Sequence, residues 1–131
     1  MANILVIEDD KELNAAYRLI LSRDGHNVES AYNGSEALKV LNSFKPELIL
    51  LDLLMPVKSG VEFIKEYNKG NFGDSKIVVF TNLENSPEIN EALRLGAYKC
   101  IVKSWTAPRG LIKVVNELLN LQPSAARVPE N

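Results

Sequence analysis

Glu47-Leu48-Ile49-Leu50-Leu51-Asp52-Leu53-Leu54-Met55-Pro56 is the stretch on which the reading of this chain turns. Apart from Asp52 the run from Leu48 to Val57 is apolar. An ionised carboxylate in such surroundings is costly unless something pairs with it. The residues before it have the unbroken apolar character of a strand buried on both faces of a parallel sheet. Met55-Pro56 then stops regular structure, and Gly60 allows a further turn before a helix. Asp52 is therefore expected where a strand ends and a loop begins. In open parallel α/β sheets ligands bind along that edge.

Outward from this strand the chain alternates strand and helix. Ile4–Ile7 reads as a first strand, followed by a helix with Leu13, Ala16, Tyr17 and Ile20 at helical spacing and Gly25 at its end. Val28–Tyr32 is a second strand. Ser35 is the expected N-cap of a helix carrying Ala37, Leu38, Leu41 and Phe44. Beyond Asp52, Val61, Ile64 and Tyr67 mark a third helix, and the polar, Gly-containing stretch 68–76 reads as a loop. Ile77–Phe80 is a fourth strand ending at Thr81. Ser86-Pro87-Glu88 opens a fourth helix with Ile89, Ala92 and Leu93 inside and Gly96 beyond it. Tyr98–Val102 is a fifth strand ending at Lys103, and a last helix starts at Thr106 or Ala107, with Leu111, Ile112, Val115, Leu118 and Leu119 inward. Residues 1–121 are expected to form one domain and residues 122–131, with two prolines and no periodicity, a mobile tail.

Composition sets the class. The 131 residues suffice for one domain with its own core, and 46% hydrophobic with 24% charged residues is the balance of an ordinary globular protein. A net charge of -2 argues against a dedicated nucleic-acid surface. The single cysteine, Cys100, makes no internal disulfide and no metal cluster. The acidic Glu8-Asp9-Asp10 near the start argues against a signal peptide, and no apolar run approaches the ~20 residues of a membrane span. A cytoplasmic domain without membrane contact is the expectation.

Strands alternating with helices imply a doubly wound parallel sheet with helices on both faces. Right-handed crossovers then gather all strand C-termini on one rim. The first strand ends in Glu8-Asp9-Asp10, the third in Asp52, the fourth in Thr81 and the fifth in Lys103. Singly, Asp10 reads as the cap of the first helix, Thr81 as a β-branched strand residue and Lys103 as a solvated lysine. Together on one rim they are chemically complementary. Crowded carboxylates repel, and a hard divalent cation with oxygen ligands, Mg2+, relieves that repulsion. A carboxylate beside such a cation can attack phosphorus and form an aspartyl phosphate. A threonine hydroxyl and a lysine ammonium are suited to hold phosphoryl oxygens.

The chain resembles the receiver domain of two-component response regulators over residues 3–120. The resemblance rests on Ile4-Leu5-Val6-Ile7-Glu8-Asp9, on Asp52-Leu53-Leu54-Met55-Pro56 with Gly60 beyond, on Thr81, and on Gly96-Ala97 leading to Lys103. It implies a flavodoxin-like α/β fold with strand order 2-1-3-4-5. It implies a binding module rather than a turnover enzyme, one that takes a phosphoryl group from a histidine kinase or phosphotransfer protein. Carried over position by position, Asp52 is the phosphoacceptor. Asp9 is a direct metal ligand, Glu8 one through water, and the Leu54 carbonyl a third protein ligand. Thr81 and Lys103 hold phosphoryl oxygens.

The chain departs from the family in places. Ser104 stands where a proline usually follows the lysine, and a trans Lys103–Ser104 peptide is expected there. Cys100 stands where the family often has an aromatic switch residue, so coupling by an inward-turning ring is not available at that position. Trp105 matches a common aromatic. The output surface is expected on the face of the fourth helix, fifth strand and fifth helix, with a homodimer as one use of it. A stand-alone receiver is the overall expectation. The alternatives are a pseudo-receiver that only binds partners, and an aspartate-dependent phosphatase. The latter usually has Asp-x-Asp at its first strand, a pattern that Lys11 breaks.

Overall fold

The structure, a computed structural model, describes residues 2–70, 72–83, 85–103 and 108–119. Ten elements alternate along it. They are β1 (Asn3–Ile7), α1 (Lys11–Arg23), β2 (Asn27–Ala31), α2 (Gly34–Val40), β3 (Leu48–Leu51), α3 (Gly60–Lys69), β4 (Lys76–Thr81), α4 (Pro87–Arg94), β5 (Lys99–Val102) and α5 (Pro108–Leu119). All strand pairs are parallel, and their order is β2-β1-β3-β4-β5. The expected doubly wound sheet is what the chain forms.

Alternation along each strand divides the core in two. Leu5, Ile7, Ile49, Leu51, Ile77 and Val79 face α2, α3 and α4, and meet Ala37, Leu41, Phe63, Ile64 and Ala92. Ile4, Val6, Leu48, Leu50, Val78 and Phe80 face α1 and α5, and meet Tyr17, Leu21, Leu111, Val115 and Leu118. Both faces of β3 are thus covered, which is why Leu48–Leu51 is apolar without a break.

Local differences from the sequence reading have physical causes. The cap of α2 is Asn33, whose side chain accepts from the Glu36 amide at 2.9 Å, so Ser35 lies at the second position of the helix. That helix ends at Val40, and Phe44 packs on the core from beyond it. Helix α3 runs through Lys69, which shortens the loop before β4. Leu93 is exposed, and Leu95 packs on the core instead. Tyr98 lies outside β5 and is also exposed, its ring 5.1 Å from the Lys76 ammonium. Gly96, at φ +113, ends α4 as expected. The start of the last helix at Thr106 or Ala107, Trp105, the Lys103–Ser104 peptide and the tail 122–131 lie outside the described residues.

Helix α3 opens on a capping box. Ser59 accepts from the Glu62 amide at 3.2 Å, and the Glu62 carboxylate accepts from the Ser59 amide at 3.0 Å. The Ser59 amide, and after it the Ser59 hydroxyl, hold the Glu62 carboxyl below its ordinary value. Ser59→Ala is expected to lower stability by about 1 kcal/mol, read as a lower urea midpoint at unchanged slope. A group with a depressed folded-state pKa stabilises above its unfolded value and loses that contribution as pH falls through the folded one. The difference between wild type and variant should therefore shrink in acid.

Candidate functional site

The sheet ladder places the acidic side chains. The Glu8 amide donates to the Ala31 carbonyl at 3.1 Å, and the Asp52 amide donates to the Ile7 carbonyl at 3.1 Å. Each residue therefore stands one step past its strand, β1 or β3, with the ladder still holding its backbone. Because β1 and β3 are neighbours, both carboxylates share one end of the sheet. One carboxylate oxygen from each of Glu8, Asp9 and Asp52 lies within 4.8 Å of the others. Glu8 and Asp52 are buried, whereas Asp9 is exposed. Asp10 turns away, and its carboxylate caps α1 by accepting from the Glu12 and Leu13 amides at 3.0 and 3.1 Å. This is the role its place before the helical stripe suggested.

Lys103 follows β5 and reaches back over the end of β4 to the acids. Its ammonium is hydrogen-bonded to Glu8 and lies 3.2 Å from Asp52 Oδ2. The side chain is only 9% exposed, so the pair is no surface ion pair. Burial raises the Glu8 pKa, and the Asp52 charge adds to this, while the Lys103 hydrogen bond and the Asp10 amide oppose it. Burial also works against the Lys103 ammonium, but its bonds and charges with Glu8 and Asp52 outweigh burial and its pKa ends above the ordinary value. One fixed cation thus serves two buried carboxylates, with Asp9 beside them. A set of hard oxygen donors carrying more negative charge than one lysine neutralises fits a hard divalent cation.

Thr81 ends β4, between Asp52 and Lys103 in sheet order, and is buried. Its hydroxyl oxygen accepts from the Leu83 amide at 3.4 Å, so it is tied to the first turn of the loop leading to α4. The Leu54 amide points back to Asp52 Oδ1 at 3.4 Å, while its side chain is 56% exposed. Cys100 is half-buried and packs against the α2–α4 core, where burial raises its thiol pKa.

Some residues that shape the site were not legible as such. Asn14 is buried on the inner side of α1, and its amide donates to the carbonyls of Glu8 and Ala31 at 3.0 Å each. It ties the β1 and β2 ends to the helix. The signal available was a polar residue between Leu13 and Tyr17 in an apolar stripe. Gly60 is not a turn former: it lies at the first position of α3, with no positive φ, against the backbone that carries Asp52.

The profile of the response regulator receiver domain matches residues 4–116. The transcriptional regulatory protein CpxR homolog of Haemophilus influenzae is 35% identical over 127 residues, which is 95% of this chain and 53% of that protein. The chemotaxis protein CheY of Halobacterium salinarum is 26% identical over 105 residues, covering 80% of this chain and 87% of that one. The chain spans about half the length of two transcriptional regulators it matches, 53% and 45%. Among solved structures, a CheY-like receiver domain protein from Methanospirillum hungatei superposes with TM-score 0.84 at 27% identity over 95% of this chain and 98% of that chain. Chemotaxis protein CheY4 of Vibrio cholerae does so with TM-score 0.79 at 30% identity over 89% of this chain and 98% of that chain.

Proposed function

Because the chain belongs to the response regulator receiver domain family, we propose that it takes a phosphoryl group onto Asp52 from the phosphohistidine of a histidine kinase or phosphotransfer protein, and that this modification switches partner binding. The observation that carries the proposal is the buried Lys103 shared by Glu8 and Asp52 at the strand ends, with Asp9 beside them. An oxygen of the Asp52 carboxylate attacks phosphorus. The bond from phosphorus to the donor nitrogen breaks, and its electron pair stays on the imidazole. Lys103 moves from the carboxylates onto a phosphoryl oxygen, and the Thr81 hydroxyl turns from Leu83 to donate to another. Mg2+, held by Asp9, Asp52 and the Leu54 carbonyl and by Glu8 through water, would neutralise charge on the phosphoryl oxygens. The chain acts once per phosphoryl group and is a switch rather than a turnover enzyme.

Phosphorylation adds about −1.5 to −2 charges at the rim. Thr81 is joined to α4 by a short loop, so drawing its hydroxyl inward shifts that helix. The proposed output surface is the face of α4, β5 and α5, where Leu93 and Tyr98 stand exposed, and a second copy of the chain is one candidate partner. On α5 itself Val114 and Leu119 pack against the core as well as Leu111, Val115 and Leu118. A cytoplasmic receiver over residues 1–121 is part of the same reading, and among the described residues no helix is long and apolar enough to cross a membrane.

The test is incubation with Mg2+ and acetyl phosphate followed by intact-mass measurement. A gain of one phosphoryl group that depends on Mg2+ is expected, and a chain that gains none is a binding module without this switch. The phosphorylated form is expected to decay slowly, because the Leu54 side chain, two residues past Asp52, offers an attacking water no hydrogen bond. Leu54→Asn should speed the loss of the added mass several-fold. Faster decay in the wild type than in the variant would refute this role.

A further inference from the structure

Tyr17 is a buried polar side chain that the proposed reaction leaves unused. It stands on the inner stripe of α1 and is 8% exposed. Its ring packs edge-on against Phe80, the residue before Thr81, with centroids 5.4 Å apart. That packing accounts for the ring but not for the hydroxyl, since a phenylalanine would fill the same space. Among the described residues no group hydrogen-bonds this hydroxyl; burial and charge alone act on it. A buried hydroxyl left in that state costs about 1–3 kcal/mol.

Its surroundings point to a partner. A small cavity beneath the strand ends is lined by Tyr17, Glu8 and Asp52, with Leu50 and Phe80 among its apolar walls. It has room for about one water, and buried waters sit where about three polar groups converge. Tyr17, Glu8 and Asp52 are the polar residues in its lining, one able to donate and two with carboxylate acceptors. A tyrosine hydroxyl is protonated at neutral pH and can donate to either.

We infer that Tyr17 is a positioning residue of the Asp52 site, whose hydroxyl donates to one buried water that in turn donates to the Glu8 and Asp52 carboxylates. The inference rests on the reading of Asp52 as phosphoacceptor. Lys103 now serves both carboxylates, and in the proposed reaction it leaves them for a phosphoryl oxygen. The water held by Tyr17 stays behind. It keeps the Glu8 and Asp52 carboxylates oriented while the lysine is elsewhere.

Tyr17→Phe removes only the oxygen and keeps the ring against Phe80. In this variant the maximal rate of phosphorylation by acetyl phosphate should fall about five-fold, the scale of one hydrogen bond between neutral groups, with the half-saturating concentration unchanged. Mg2+ affinity measured by calorimetry should weaken several-fold, and the thermal midpoint should not fall. Equal rates and equal Mg2+ affinity in the two proteins overturn the role of Tyr17 while leaving Asp52 in place. A rate loss that merely follows a lower thermal midpoint overturns it too, since space-filling then suffices. A wild type that takes up neither Mg2+ nor a phosphoryl group overturns the phosphoacceptor reading and this inference together.

Discussion

Asp52→Asn is expected to abolish phosphoryl uptake altogether. Asparagine has the shape of aspartate and retains an oxygen for the Leu54 amide, which now donates to Asp52 Oδ1 at 3.4 Å. The backbone ladder to Ile7 is untouched. An amide, however, is no nucleophile toward phosphorus, and the variant also removes one charge from the cluster that would hold Mg2+. Lys103 still has Glu8, so the ammonium is not stranded. The far-ultraviolet circular dichroism should therefore match the wild type. Intact mass after incubation with acetyl phosphate and Mg2+ should show one added phosphoryl group in the wild type and none in the variant. Equal modification of both would move the acceptor away from Asp52 and sink the site assignment.

Gly60→Ala should be the most damaging single methyl group near the site. A Cβ at this position would lie 2.7 Å from both the Asp52 carbonyl oxygen and Leu53 Cα, and 2.8 Å from Leu53 Cδ2. Two of these three are backbone atoms, and they belong to the segment that presents Asp52. The Gly60 amide also donates to the Leu53 carbonyl at 3.0 Å, so helix and loop are tied where they would have to part. Overpacking of this kind costs about 1–3 kcal/mol and occasionally more. The urea midpoint should fall accordingly, and phosphorylation should slow because the Asp52 carboxylate moves relative to Glu8 and Lys103. A variant with wild-type midpoint and rate would mean that the loop yields freely and that the close approach carries no weight.

Much of the fold was open to a reading of the chain by itself. Unbroken apolar runs such as Leu48–Leu51, separated by segments of helical period, leave a doubly covered parallel sheet as the economical way to bury both faces. Parallel connections then bring the strand ends to one rim, so Glu8, Asp9, Asp52, Thr81 and Lys103 were expected together; the acids and Lys103 do meet, while the Thr81 hydroxyl is bonded to the Leu83 amide. Asp10 was separable from its neighbours because a cap is a local matter of a carboxylate and the next three residues. The reaction assigned to these groups remains the proposal that phosphoryl uptake tests.

Other features depend on what stands opposite in space. Asn33 rather than Ser35 caps α2 because the backbone leaves β2 in an extended form at Asn33, and a serine two residues on suits a cap equally well by composition. Leu93 and Leu95 exchange roles because the inward stripe runs through Ile89, Ala92 and Leu95 at three-residue steps, which leaves Leu93 off it. Asn14 matters through two carbonyls on two strands, and Tyr17 through a cavity shared with residues from β1 and β3. Gly60 looked like a turn residue and is instead a point of backbone contact. Periodicity and local chemistry are properties of neighbours along the chain, so the sequence alone determined the elements, their order of burial and the rim on which the polar groups collect. Distances between groups remote in sequence arise only when the sheet closes, so the tertiary structure alone decided that one lysine serves two carboxylates and that a tyrosine stands beneath them.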